Sequence, residues 1–412
     1  MLQRTDSNES TVAAETPAES ARSIEACVLG RGPVGSFAAL CLEARGVPVR
    51  ILDAQGERPV RSYACGLHLE TLRLLNAHGL APAVHESAHR VERLSVWRGH
   101  ERMASVDFGA LGGPFPYLLT LRQSDLEDVF AQALAERGVE VLARQEVTRI
   151  STGERGVRTE TVPQWELGRS SELASQGQPL VRHADYLIGA DGYASTCRET
   201  LGIDFVDLAQ TEVFTICEFQ ADLAEFGREV QIVMMPDSIH AFWPLGPGVG
   251  RWTFQIREQF DQTPSLDSLR ASLRAYAPWF RPQPEQLLWG ATAHFERRLA
   301  RHFGAGRVWL AGDAAHVTSP LGFQNMNRGF AEASELAGLV SAALQSAQPP
   351  AASFADFERR HTAEWQRLLG IGTRVHSHGP LTDEEASRLV PALPASGADL
   401  KRLMARLGME FA

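Results

Sequence analysis

Three glycines and two aspartates carry most of the chemistry legible in this chain. Gly30-Arg31-Gly32-Pro33-Val34-Gly35 follows the apolar run Ile24-Glu25-Ala26-Cys27-Val28-Leu29. A helical stretch from Ser36 to about Arg45 comes next, ended by Gly46. A second apolar run, Val47 to Leu52, terminates in Asp53. Strand, glycine turn, helix, strand and acid within about 30 residues make a dinucleotide-binding unit. Gly30 permits the tight turn, Gly32 lets backbone approach a pyrophosphate, and Gly35 lets the helix pack close to the strand. Pro33 and Val34 complete the turn into a helix whose unpaired amides and positive dipole end favour phosphate. Asp53 is placed to accept hydrogen bonds from ribose hydroxyls. The motif alone does not separate FAD from NAD. The second aspartate, Asp313, follows a strand and precedes the small residues Ala314 and Ala315, which suits hydroxyl recognition at a helix start.

Other chemistries are excluded or weak. The chain holds one lysine, Lys401, so a Schiff base or a Walker-loop lysine would have to rest on a residue of a surface helix. Cysteines at 27, 41, 65, 197 and 217 are odd in number, and no two lie within three places. That is neither a disulfide framework nor a zinc ribbon, and it fits reduced thiols in the cytoplasm. His85-Glu86-Ser87-Ala88-His89 spells a zinc-hydrolase signature. No clear third ligand follows it, and no metal site is expected.

The elements that must position these residues are those of an α/β protein. With 412 residues, 44% hydrophobic and 22% charged, the chain can bury a core without staples. Forty Lys+Arg against 50 Asp+Glu leave a net charge of −10, a poor balance for nucleic acid or an anionic membrane surface. No apolar run approaches the roughly 18 residues of a membrane span. Neither nucleic-acid binding nor stable membrane insertion is expected. Residues 1–23 lack the apolar core of a signal peptide and read as a disordered leader.

The α/β pattern occupies 24–202. Within it Leu118–Gln123, Val139–Leu142 and Tyr186–Gly189 read as strands, Asp125–Arg137 as an amphipathic helix, and 151–180 as a polar excursion. Strand-like alternation takes over in 203–295, broken by one helix near 266–277. It reads as a mainly antiparallel sheet, a substrate domain inserted into the α/β domain. The α/β pattern resumes in 296–346, with a long helix from about Asn327 to Leu344. Residues 347–412 are expected to form C-terminal helices.

Three motifs in this order are similar to those of one family. They are Gly30-x-Gly32-x-x-Gly35, then Gly189-Ala190-Asp191-Gly192-Tyr193-Ala194-Ser195-x-x-Arg198, then Gly312-Asp313-Ala314-Ala315-His316 followed by Pro320. Over roughly 24–345 the chain resembles the single-component FAD-dependent aromatic hydroxylases, monooxygenases with the para-hydroxybenzoate hydroxylase fold. The resemblance implies a Rossmann-like FAD-binding domain, and roles position by position. Gly30, Gly32, Pro33, Val34, Gly35 and Asp53 would bind the pyrophosphate and adenosine ribose of FAD. Arg61 would lie near the phosphates, and Arg122 and Gln123 would touch the cofactor. Asp191 and Gly192 are tied to FAD and nicotinamide binding, and Gly312 and Asp313 to the ribityl chain. Pro320, Gly322, Gln324, Asn325, Met326 and Asn327 would lie beside the isoalloxazine ring, with Pro320 at the chemistry.

The chain departs from the family there. Where Pro-x-Gly-Gly-Gln-Gly-x-Asn is usual, Phe323 and Asn325 replace two glycines. Asparagine tolerates left-handed backbone. Phe323 adds a ring, expected to wall the substrate pocket or to restrict movement of the flavin.

The implied reaction begins with NAD(P)H reducing the flavin. Dioxygen then forms a flavin hydroperoxide, which passes one oxygen atom to an aromatic, phenolic or quinone-like small molecule, fitting natural-product biosynthesis. Candidate substrate-facing residues of the inserted sheet are Gln231, Met234, Phe242, Trp243, Trp252 and Phe254, with Phe323 opposite. His240 is the titratable candidate for deprotonating a phenol. Two alternatives share the cofactor motifs: a flavin-dependent reductase, and a flavoprotein whose FAD is structural or assists a cyclisation. A halogenase of the same fold is excluded, because its flavin-side lysine and Trp-x-Trp-x-Ile-Pro stretch are missing. A cytoplasmic monomer or homodimer is expected.

Overall fold

The computed structural model describes residues 26–56, 66–111, 113–153, 156–164, 179–235, 238–256, 263–318, 320, 323–346 and 351–369. The leader, Arg61, Gly322 and the expected helices beyond 369 lie outside these residues. The apolar run before the glycine turn is β1 (Ala26–Leu29), buried along its whole length. It leads through the turn into α1 (Pro33–Glu43) and back through β2 (Val49–Leu52), parallel to β1, with Val28 beside Ile51.

A mixed stretch follows: β3 (Gly66–Leu67), α2 (Leu69–Ala77), α3 (Ala81–Ser87), β4 (His89–Val91), β5 (Arg93–Arg98), β6 (Glu101–Asp107) and β7 (Leu118–Thr120). Next come α4 (Gln123–Glu136), β8 (Glu140–Leu142), β9 (Gln145–Gly153), β10 (Gly156–Pro163), β11 (Leu180–Ala184), β12 (Tyr186–Gly189) and α5 (Thr196–Thr200). The strand read over Leu118–Gln123 stops at Thr120. Arg122 takes an extended N-cap conformation, and α4 starts at once behind it. The polar excursion 151–180 contains paired strands, because β9 and β10 form a hairpin on which β11 packs.

The remaining elements are β13 (Phe205–Gln220), β14 (Glu229–Met234), β15 (Ile239–Gly246), β16 (Val249–Ile256), α6 (Leu266–Tyr276), β17 (Gln286–Ala300), β18 (Gly304–Ala305), β19 (Val308–Leu310), β20 (His316–Val317), α7 (Gln324–Gln345) and α8 (Ala351–Leu368). The first sheet runs β18-β19-β12-β1-β2-β8 and is parallel apart from the β18 edge. Chain order reverses direction at β1, where β2 lies on one side and β12 on the other. Such a switch point leaves a crevice beyond the carboxyl ends of the strands.

The second sheet runs β20-β17-β13-β16-β15-β14-β5-β6. It is wider than the 203–295 segment. β5 and β6 come from within 24–202 and β20 from 296–346, because the free edges of β14 and β17 take partners from the neighbouring domain.

The two faces of this sheet bury different layers. Cross-strand partners share a face. Gln231 pairs with Phe242, Phe242 with Trp252, and Trp252 with Cys217. The apolar members of this set, with Val233, Phe219 and Phe254, form a core closed by Leu269 and Leu273 of α6 and by Phe280. The alternate residues Ile232, Met234, Ala241 and Trp243 turn the other way. They pack against Leu69, Val91, Leu118 and Phe323 of the dinucleotide domain.

Candidate functional site

The crevice at the switch point is a cleft of about 370 Å³. Its floor is Leu29 to Gly32 after β1, Leu52 to Gln55 after β2, and Ala190 to Gly192 after β12; Gln123, Glu127 and 145–147 form a wall. The turn is built by close backbone approach. Gly30 adopts φ +91°, and a Cβ on it would run into the carbonyl of Ala190. Gly35 meets the carbonyl of Gly30 in the same way. Gly32 differs, because a Cβ there meets nothing within 4 Å. Gly32 is also the N-cap of α1 and supplies no side-chain cap to the amides behind it. Asp53 stands at the end of β2, accepting the Arg31 amide on Oδ2 and the Gln55 amide on Oδ1, each at 2.7 Å. Its oxygens keep further acceptor capacity towards the cleft.

Asp191 lines the cleft, yet its carboxyl is turned into the fold. It accepts the Ser195 hydroxyl at 2.6 Å and the Cys197 amide at 3.0 Å. Burial pushes this carboxyl up, and the Ser195 and Cys197 bonds pull it back. Its work here is to brace the turn at Gly192, where φ is +79°. Arg198 extends the brace, donating to the carbonyls of Tyr193 at 2.7 Å and Ala314 at 3.0 Å.

The loop after β19 is anchored on three sides. Ala311 donates to Gly189 at 2.9 Å, Gly312 donates to Glu332 at 3.0 Å, and Ala314 accepts from Arg198. Asp313 is exposed, and no described residue hydrogen-bonds its carboxyl. The chain crowded round it pushes the carboxyl upward, against the pull of His316. Its exposure to solvent matters more for its charge state and keeps it an acceptor near neutral pH. The bare Gly32 backbone, the uncapped α1 amides and the Asp313 carboxyl together fit an extended dinucleotide with a polyol arm.

Beyond Asp313 the chain reaches Pro320 and the start of α7. Phe323 is the N-cap of α7 in the left-handed region, with φ +51° and ψ +24°. That conformation costs a non-glycine residue about 1–2 kcal/mol. The ring is buried against Gly66, and its centroid lies 4.3 Å from that of Trp243. Asn327 locks the same loop: its Oδ1 accepts the His68 amide at 2.8 Å and the Thr71 hydroxyl at 2.7 Å. Its Nδ2 donates to the carbonyls of Gly66 at 2.9 Å and Phe323 at 2.8 Å. Asn327 is therefore a staple between β3 and α7. Gln324 and Met326 are buried beside it, and the Asn325 amide reaches the Thr318 carbonyl at 3.4 Å. Phe323→Gly is expected to cost about 2 kcal/mol, since losing a buried phenyl outweighs release from left-handed backbone. Urea denaturation checks this, and a variant at least as stable as the parent would show that the strain is the larger effect.

The sheet residues divide by face. Met234 and Trp243 face the dinucleotide domain. Phe242, Trp252 and Phe254 do not; they lie in the core under α6. Gln231 shares their face, accepting from the Trp97 indole at 2.7 Å. His240 is on that face too, fully buried, with its ring 4.0 Å from Tyr276 and Nε2 3.1 Å from the Ser238 hydroxyl. Its assignment as a phenol base is withdrawn, because the sheet stands between it and the cleft side.

Burial pushes the His240 imidazolium down from 6.5 to about 3. The unfolded chain takes up a proton below pH 6.5 that the folded chain refuses. Stability contributed by the neutral ring is whole above that pH and is lost as pH falls toward 3. The melting midpoint is expected to fall more steeply between pH 6.5 and 4.5 in the parent than in His240→Leu. Parallel slopes would remove His240 as the cause.

Arg122 is drawn toward the sheet. Its Nε donates to Glu218 Oε2 at 3.1 Å, while Glu218 Oε1 is paired with the buried Arg251. Gln123 donates to Glu127 at 2.7 Å along the cleft wall. Sequence reasoning missed Glu218, Arg251 and Glu332, whose partners are distant in the chain. His85 and His89 do not form a zinc pair: His85 is on α3, facing the Ala81 carbonyl and the Tyr117 hydroxyl, and His89 is on β4 against the Gly227 carbonyl. Among the described residues no group of three or more His, Cys, Asp or Glu could hold a metal ion, and no helix is long and apolar enough to cross a membrane.

Comparison with known proteins agrees with this geometry. A flavin-dependent monooxygenase of Mycobacteroides abscessus is 27% identical over 365 residues, 85% of this chain and 73% of that protein. A 6-methylpretetramide 4-monooxygenase of Streptomyces rimosus is 28% identical over 316 residues. That match covers 75% of this chain but only 54% of the longer relative. The crystal structure of p-nitrophenol 4-monooxygenase PnpA from Pseudomonas putida superposes with a TM-score of 0.72 at 22% identity, covering 94% of this chain and 93% of that one. The FAD binding domain model matches residues 23–366. The resemblance read from the three motifs therefore stands: this chain belongs to the FAD binding domain family and has the fold of its flavin-dependent monooxygenases.

Proposed function

We propose that the protein uses FAD, with NAD(P)H as electron source, to insert one atom of dioxygen into an aromatic, phenolic or quinone-like small molecule. The observation that carries this reading is a dinucleotide cleft at the switch point, in a domain that also packs an apolar layer against the large sheet. Gly32 and Asp53 line the cleft, Asp313 stands exposed on the loop after β19, and Met234, Trp243 and Phe323 are buried in one apolar layer. Similarity to a p-nitrophenol 4-monooxygenase and a 6-methylpretetramide 4-monooxygenase supports an aromatic substrate.

Bound FAD supplies electron transfer and the activation of dioxygen. The chain's own residues bind and orient. The α1 amides hold the pyrophosphate, Asp53 the adenosine ribose and Asp313 the ribityl hydroxyls. Pro320 and the residues from Gln324 to Asn327 carry the ring-side loop, and Asn327 keeps it against β3. The apolar layer excludes water from the reacting end. Glu218 and Arg251 form a buried charged pair on that sheet face.

The test is a visible spectrum of the purified protein, followed by NAD(P)H under nitrogen and under air with 4-nitrophenol and a polycyclic phenol. Bleaching under nitrogen, with label from isotopic dioxygen appearing in product, is the expected result. Reduction with no oxygen incorporated points to a reductase. Bound flavin that NAD(P)H never reduces points to a structural or cyclising cofactor. Either of those outcomes overturns the monooxygenase reading.

A further inference from the structure

The fold buries one carboxylate that neither the cleft nor the sheet uses. Glu332, on α7, has no exposed surface. Its Oε2 accepts the Gly312 amide at 3.0 Å and lies 2.8 Å from His316 Nε2. Its Oε1 accepts the Trp365 indole N–H at 2.8 Å. A carboxylate only accepts, so His316 carries its proton on Nε2 here. The His316 ring stacks on Trp365 with centroids 3.7 Å apart. His361 Nδ1 stands 3.9 Å from Glu332 Oε1, and its Nε2 is 3.0 Å from Glu335. Trp365 and His361 both belong to α8, so one helix beyond the ring-side loop closes this network.

Packing alone does not explain a carboxylate at this place. Burial by itself would raise its pKa, yet His316 first, then His361 and the Gly312 amide, hold it below the ordinary range. Taking a charge out of water is costly, and an apolar side chain would fill the volume at less expense. The carboxylate does one thing an apolar group cannot. It pins the amide of Gly312, whose φ of +63° starts the turn that carries Asp313. With that amide held inward, the next residue is turned outward and exposed.

We propose that Glu332 is a positioning residue for the cofactor: fixed by Trp365 and His316, it pins the Gly312 amide and so aims the Asp313 carboxyl at the ribityl chain of FAD. This rests on FAD binding and is independent of which reaction the flavin then performs. It makes α8 a contributor to cofactor affinity through Trp365.

The test is a double-mutant cycle on the full chain, stripped of flavin and retitrated with FAD by fluorescence quenching. Glu332→Gln keeps the volume but sets an NH₂ group against one of the N–H donors. It is expected to weaken FAD binding about 10-fold in the parent, the order of one charge-assisted hydrogen bond. In an Asp313→Ala background the same change is expected to cost less than about 2-fold, because no carboxyl is left to aim. Equal losses in both backgrounds would mark Glu332 as merely structural and overturn the proposal. Unchanged affinity in folded Glu332→Gln would overturn it as well. If circular dichroism shows that Glu332→Gln does not fold, Trp365→Phe decides. That variant keeps an aromatic ring beside His316 and removes the N–H together with the rest of the indole's five-membered ring. About 3-fold weaker FAD binding, absent in the Asp313→Ala background, supports the proposal; parental affinity, or the same loss in both, sinks it.

Discussion

Asp313→Ala is expected to lower FAD affinity roughly 10- to 150-fold, the worth of a charge-assisted hydrogen bond of about 1.5–3 kcal/mol. The loop around it has its other anchors elsewhere: the backbone at 311, 312 and 314 is tied to Gly189, Glu332 and Arg198. The fold of the variant is therefore expected to survive, and its flavin to be lost on gel filtration. Asp313→Asn, which keeps one acceptor oxygen, is expected to fall between parent and alanine. Flavin titration of the three proteins checks the order. Full flavin occupancy in Asp313→Ala would remove Asp313 from the cofactor site.

The second large effect separates two glycines of one motif. Gly35→Ala places a methyl into the carbonyl of Gly30, where both partners are backbone and neither can step aside. Loss of the β1–α1 contact should cost about 4 kcal/mol or more, the range of severe core disruption. Poor soluble yield or a much lower urea midpoint is the expected reading. Gly32→Ala places its methyl in open space, so the apo protein should melt within about 0.5 kcal/mol of the parent, as at an unconstrained surface site. Its methyl instead occupies the approach to the pyrophosphate, and FAD affinity should fall by at least about 30-fold, the factor for about 2 kcal/mol. Melting of the flavin-free proteins beside flavin titration tells the two apart. A Gly32→Ala protein that binds FAD like the parent would move the pyrophosphate away from this turn.

Parts of the site differ in how legible they were, and the reason is the range of the interactions. Asp191 was expected to touch ligand, and it lines the cleft. Nothing local revealed that Ser195 and Cys197 would claim its carboxyl. Phe323 stood out because a bulky residue took a glycine's place. Its packing on Trp243 depends on a strand some 80 residues earlier in the chain. Glu218 carried no local signal, since an acid in a strand is ordinarily solvated. Glu332 differs, because its three- and four-residue spacing from Gly329 and Leu336 on α7 puts it on the buried face.

By itself the sequence determined the dinucleotide unit: β1, the glycine turn, α1, β2 and Asp53. Those parts are contiguous, and strand and helix geometry alone carries one to the next. Which side of the large sheet meets the dinucleotide domain was settled only in three dimensions. Side chains alternate along a strand with period two, so there are two phases to choose from. On β16 the Trp252 and Phe254 phase is apolar and the Arg251 and Thr253 phase polar, yet both are buried, and the pattern does not say which neighbour each phase meets. The choice was made when α6 covered the Phe242, Trp252 and Phe254 face and the dinucleotide domain covered the Met234 and Trp243 face. His240 went with the first, and with it any part in the chemistry.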